Sequence, residues 1–129
     1  MKTRIASLLA MLTLLLVISR PAFAHHSMAM YDSSSETTFK ATITQFNWTN
    51  PHAQIEFTVV DEHGNTVKWV AEGPSPSRLS NGGWSKESLK PGDQVTIVGN
   101  CNKNGSPTMR FVKVTLPNGQ ELQARRRYF

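Results

Sequence analysis

Between Thr38 and Ala71 the chain shows the two-residue period of a β-strand in three successive stretches, and this constrains its fold more than any other feature. Phe39, Ala41 and Ile43 share one parity, and Phe46 and Trp48 take the other. A phase change near Thr44-Gln45 is what one inserted residue produces, so a bulge is expected there in one long, strongly bent strand. Asn50-Pro51 then breaks the strand, because proline has no N–H to give a ladder and restrains the residue before it. Ala53, Ile55, Phe57 and Val59 alternate with Gln54, Glu56 and Thr58, the pattern of a strand buried on one face. Asp61 to Asn65 reads as a hairpin turn, and Val67, Trp69 and Ala71 carry the inward face back along a third strand.

The remainder is punctuated in the same way. Gly73-Pro74-Ser75-Pro76 ends the meander, and Ser77 to Ser80, stopped by Asn81-Gly82-Gly83, reads as one short helical turn. Lys90-Pro91-Gly92-Asp93 is a tight turn into a fourth strand from Gln94 to Gly99. Asn102 to Pro107 forms a second hairpin loop, Arg110 to Leu116 a fifth strand, and Glu121 to Gln123 a short sixth. A long bent strand, two more, a helical connection and then two further strands is the order of an OB-type barrel. The expected fold is therefore all-β: a small OB-like antiparallel barrel of five to six strands with one short helical connection. A small open sandwich of the same strands is the rival.

The N-terminus has a different character. Lys2 and Arg4 precede an apolar run from Ile5 to Ile18, and Ala22-Phe23-Ala24 supplies small residues at −3 and −1 of a signal-peptidase site. The run is shorter than the roughly 20 residues of a membrane-spanning helix, and Arg20-Pro21 closes it. Residues 1–24 are read as a cleaved signal peptide, 25–36 as a flexible lead-in, 37–124 as the barrel and 125–129 as a basic tail. Cleavage between Ala24 and His25 would place the protein in the periplasm or outside the cell, with no transmembrane segment after processing.

Removing Lys2, Arg4 and Arg20 lowers the count of Lys and Arg from 14 to 11 against 9 Asp and Glu, so most of the net charge leaves with the signal. The mature chain is only mildly basic, which with its compartment argues against nucleic acid. Arg125, Arg126 and Arg127 offer weak contact with an anionic membrane surface. Cys101 is the single cysteine, so no internal disulfide forms.

Cleavage would make His25 the first residue, offering its amine and imidazole together with a second imidazole at His26. His52, held after the rigid Asn50-Pro51 turn, would complete a nitrogen-rich site suited to copper, or less selectively to zinc. Met28 and Met30 add thioethers nearby. The competing reading of His52 is a half-buried ring bonded to a backbone carbonyl. His63 sits in the hairpin turn and reads as a solvated loop residue. Trp48, Asn50, Glu72 and Trp84 cluster near strand ends and are candidates for binding a small polar ligand or a protein partner. The alternative makes Trp84 a lid packed on the barrel end. No Ser-His-Asp order and no phosphate-binding glycine loop is present, which points away from an enzyme. A copper-dependent oxidative activity and a purely structural interaction domain stay open beside the binding role.

Ala24-His25-His26-Ser27, Tyr31-Asp32, Trp48-Thr49-Asn50-Pro51-His52-Ala53, Trp69 with Glu72, Gly83-Trp84 and Leu89-Lys90-Pro91-Gly92-Asp93 together resemble a family of small exported bacterial proteins known only as a domain of unknown function. The resemblance spans nearly all of the mature chain. It implies a periplasmic or secreted location and supplies no activity, and it gives no weight to Cys101 or to the arginine tail.

Overall fold

The computed structural model describes residues 29–124. The segment 1–24 expected to be a signal peptide, the histidines His25 and His26 and the tail at 125–129 lie outside the described residues. Six strands and one short helix follow in the order β1 (Thr37–Asn47), β2 (Gln54–Val60), β3 (Thr66–Glu72), α1 (Pro76–Ser80), β4 (Gln94–Cys101), β5 (Thr108–Thr115) and β6 (Glu121–Gln123). Among the described residues no helix is long and apolar enough to cross a membrane.

β1 is the hinge of the sheet. Its first half pairs with β4, Thr37 to Thr42 against Gly99 to Gln94, and its second half pairs with β2. The β1–β2 register slips between Ile43 and Gln45, the bulge that the change of hydrophobic phase requires. A second slip lies between Val98 and Gly99, where β5 carries Val112 as its extra residue. The hydrophobic pattern hides this one, because Val112 is itself apolar.

Closure comes from β3 and β5, which pair in parallel through Val70 with Thr108, Ala71 with Met109 and Glu72 with Arg110. That pairing selects the OB-like barrel over the open sandwich, and makes the barrel mixed rather than wholly antiparallel. β6 lies outside the closed ring, paired only with β5.

The inward positions form one core, with Ile55, Phe57, Ala71, Ile97, Met109, Phe111 and Val114 all at 1% exposure or less. The connection between β3 and β4 adds Leu79, Trp84 and Leu89 to it. Two glycines admit the close packing. A Cβ on Gly73 would overlap the Phe111 ring, and one on Gly99, at the second bulge, would overlap the Arg110 carbonyl.

The lead-in is irregular, as its composition predicts, yet residues 29–36 are tied to the barrel. Tyr31 bridges Asn102, the Asp32 N–H donates to the Cys101 carbonyl at 2.9 Å, and the Lys103 N–H donates to the Met30 carbonyl at 2.9 Å. Buried Asn100 donates its side-chain amide to the Ser35 carbonyl at 2.7 Å. Tyr31 is itself a core residue, an apolar anchor in a polar segment.

Candidate functional site

The β2–β3 ladder continues past its last named pair. The Gly73 N–H donates to the Ala53 carbonyl at 2.8 Å and the Ala53 N–H donates to the Pro74 carbonyl at 3.0 Å. These bonds clamp the β1–β2 loop over the start of the connection to α1, and the cis peptide Asn50-Pro51 lies in that loop. The next residue, His52, is carried directly above the end of β3.

Its ring is fixed from one side. Nδ1 lies 3.0 Å from the Gly73 carbonyl oxygen and 3.5 Å from Glu72 Oε1. The other carboxylate oxygen, Glu72 Oε2, accepts the Tyr31 hydroxyl at 3.4 Å. Glu72 is thus held between His52 and Tyr31, with its side chain 26% exposed, while that of His52 is 47% exposed. Burial, and next the charge and hydrogen bond of Glu72, push the Tyr31 phenol above its ordinary pKa, with Arg110 opposing.

Around these groups lies a cavity of about 200 Å³ lined by Tyr31, His52, Glu72, Arg78 and Arg110 together with the Pro51 and Gly73-Pro74-Ser75 backbone turns. The titratable residues of the lining come from five segments: the lead-in, the β1–β2 loop, the end of β3, α1 and β5. A wider groove of about 380 Å³ runs by Lys40, Thr42, Gln94, Thr96 and Thr115, but Lys40 is its only titratable side chain. Chemistry therefore favours the smaller cavity.

Of the residues singled out in the sequence, His52 and Glu72 come together here. His52 has the geometry of the half-buried ring bonded to a backbone carbonyl, and it stays half-exposed beside Glu72. Asn50 is exposed in the loop before it and does not line the cavity. Trp48 is half-buried, edge-on to Phe46 at 5.6 Å between ring centres. Trp84 is 3% exposed, packs on Phe111 at 5.5 Å and Phe46 at 6.0 Å, and donates its indole N–H to the Gln123 carbonyl. It serves there as a packed cover rather than a rim residue. His63 is exposed in the turn beside Glu62.

Tyr31, Arg78 and Arg110 were not singled out as site residues. The arginines reach the cavity through the β3–β5 pairing and the placement of α1, which no local pattern encodes. Tyr31 has a signal, as the only Phe, Tyr or Trp between Phe23 and Phe39. Among the described residues no three His, Cys, Asp or Glu side chains are grouped to hold a metal ion. A metal at His52 would have to draw further donors from His25 or His26.

A small mixed β-barrel with a polar cavity where its strand ends meet an N-terminal anchor is the class that fold and site define. Within that class, the chain belongs to a family of unknown function, DUF6152, whose model matches residues 12–110. The match takes in His25, His26, Tyr31, His52, Glu72 and Arg78 and stops at Arg110. No curated protein and no solved structure matches the chain.

Proposed function

We propose that the chain is an exported binding module, periplasmic or secreted after cleavage between Ala24 and His25, whose binding site is the cavity at His52 and Glu72. The observation that carries this reading is the convergence of Tyr31, His52, Glu72, Arg78 and Arg110 on one space of about 200 Å³. Pockets that bind small molecules place a few polar groups together in a concave site in this way.

One further observation favours a metal ion, copper or zinc, as the occupant. Tyr31 anchors the lead-in inside the same cavity, and His25 precedes it by six residues, a span of at most about 20 Å. A chain beginning at His25 would bring the amine and imidazole of that residue and the imidazole of His26, a neutral nitrogen set that suits copper(II) and zinc(II).

Native mass spectrometry of untagged protein purified from periplasm tests both readings. The expected mass begins at His25 and carries one copper or zinc that His52→Ala removes. A small-molecule adduct removed by His52→Ala or Glu72→Ala would keep the cavity and replace the metal. A mass bearing neither, after supplementation with both metals, would sink the binding reading.

A further inference from the structure

We infer that the cavity is a site for a small carboxylate that carries a hydrogen-bond donor next to its carboxyl group, the chemistry of an α-amino or α-hydroxy acid. Arg78 and Arg110 are the partners of the carboxylate and Glu72 is the partner of the donor. The inference rests on the cavity reading given above, and it uses only the lining and nothing from residues 25–26.

The charges of the lining set the sign of the ligand. Arg78 and Arg110 bring two guanidiniums, which stay charged in proteins, and Glu72 brings at most one negative charge. The Tyr31 phenol, raised above its ordinary pKa, is neutral at physiological pH. His52 is neutral or positive and adds no negative charge. The lining is therefore net positive whatever form His52 takes, and it favours an anion over a cation. Arg110 is the Cα partner of Glu72 in the β3–β5 pairing, and its charge is felt at the Tyr31 hydroxyl. Arg78 joins from α1, where it is exposed. Each guanidinium holds five N–H donors in a planar fork that matches the two oxygens of a carboxylate.

Glu72 gives the second half of the ligand. Its oxygens lie 3.5 Å from His52 Nδ1 and 3.4 Å from the Tyr31 hydroxyl, both longer than the roughly 2.5–2.9 Å of a well-formed charge-assisted bond. The closer partner of Nδ1 is the Gly73 carbonyl at 3.0 Å. A carboxylate has about four lone-pair sites, so Glu72 keeps acceptor capacity toward the cavity. A ligand with a carboxylate alone would leave that acceptor facing a second anion, whereas an ammonium or hydroxyl beside the ligand carboxylate meets it. The cavity of about 200 Å³ corresponds to the liquid volume of about six water molecules, which admits a compact acid and not a long chain.

The test is titration of the chain beginning at His25, freed of metal on a chelating resin, with L-alanine, L-lactate, propionate and inorganic phosphate. Backbone amide NMR at Gly73, Ser75, Arg78 and Arg110 reports binding, and the same spectra report folding. Alanine or lactate is expected to shift these amides at a lower concentration than propionate, which matches them in size and lacks the donor. Arg78→Ala, at an exposed position, and Arg110→Ala are each expected to weaken that binding about 10-fold, the loss of one strong charge-assisted contact. Glu72→Ala is expected to erase the preference over propionate. Undiminished affinity in both arginine variants, or shifts from phosphate alone, would overturn the assignment of a carboxylate. Equal binding of propionate and the two donor-bearing acids would overturn the part given to Glu72. No shift from any of the three acids would overturn the inference. If native mass spectrometry then still found an adduct lost on His52→Ala, the cavity reading would stand without it, and if it found none, both would fall.

Discussion

Glu72 is the residue on which the cavity turns, because its two carboxylate oxygens face different partners, His52 at Oε1 and Tyr31 at Oε2. Tyr31 gives a test that does not involve metal. Its phenol is raised above the ordinary value of about 10 by burial and by the Glu72 carboxylate. The folded state holds that proton more tightly than the unfolded state, so the contribution is complete below about pH 10 and falls away as pH rises through the folded value. Denaturant unfolding between about pH 9 and 11.5 should therefore show a steeper loss of stability for the wild type than for Tyr31→Phe. Lysine titration is common to both chains and cancels. Parallel curves would mean that the phenol gains nothing from its place. At neutral pH the same substitution should cost about 1 kcal/mol, the net worth of one hydrogen bond, because the ring stays buried. At this scale the sequence reveals half of the site: Pro51 marks His52 as held, and Glu72 marks the strand end. Tyr31 is visible only as an isolated ring, and Arg110 not at all.

Among the elements, the connection from β3 to β4 carries more of the core than its five-residue helix implies. Leu79, Trp84 and Leu89 are all buried, and Trp84 lies against both Phe46 of β1 and Phe111 of β5. Trp84→Ala should lower the unfolding free energy by about 3–5 kcal/mol in a urea titration. Trp84→Phe keeps the ring contacts but strands the Gln123 carbonyl, and should cost less. A loss below 1 kcal/mol for the alanine variant would mean that the connection is peripheral. Gly73 ties this element to the cavity, since its backbone lies against Phe111 while its carbonyl holds His52. Gly73→Ala must shift the strand end or the ring, and overpacking of this kind costs about 1–3 kcal/mol. It should also disturb His52, whose ring bonds the Gly73 carbonyl, read from the histidine ring resonances by NMR; unchanged resonances would mean that the ring does not depend on this turn. The strands were legible because a bent barrel strand shows its bulge as a change of apolar parity at Thr44-Gln45. The bulge in β5 was not legible, because Val112 interrupts an apolar run with another apolar residue.

For the molecule as a whole, what no local pattern encodes is the parallel pairing of β3 with β5, a contact between segments separated by a helix and a strand. It decides barrel against sandwich, and by placing Arg110 beside Glu72 it also decides which charges meet in the cavity. The N-terminal segment is the second non-local feature. Its serines and Asp32 carry the marks of a loose tail, yet Tyr31 is buried and Ser35 supplies the carbonyl that satisfies buried Asn100. Removing residues 1–36, so that the chain starts at Thr37, would give up the burial of one aromatic ring, worth about 2 kcal/mol. It would also leave the Asn100 amide without that partner, a penalty of about 1–3 kcal/mol unless water replaces it. A chain starting at His25 should therefore exceed one starting at Thr37 by about 3 kcal/mol or more in urea unfolding. Since Tyr31 also supports Glu72, the shorter chain should lose ligand affinity even where it stays folded. Equal stability of the two chains would make the segment a passive leader, and the barrel alone would then have to account for any binding.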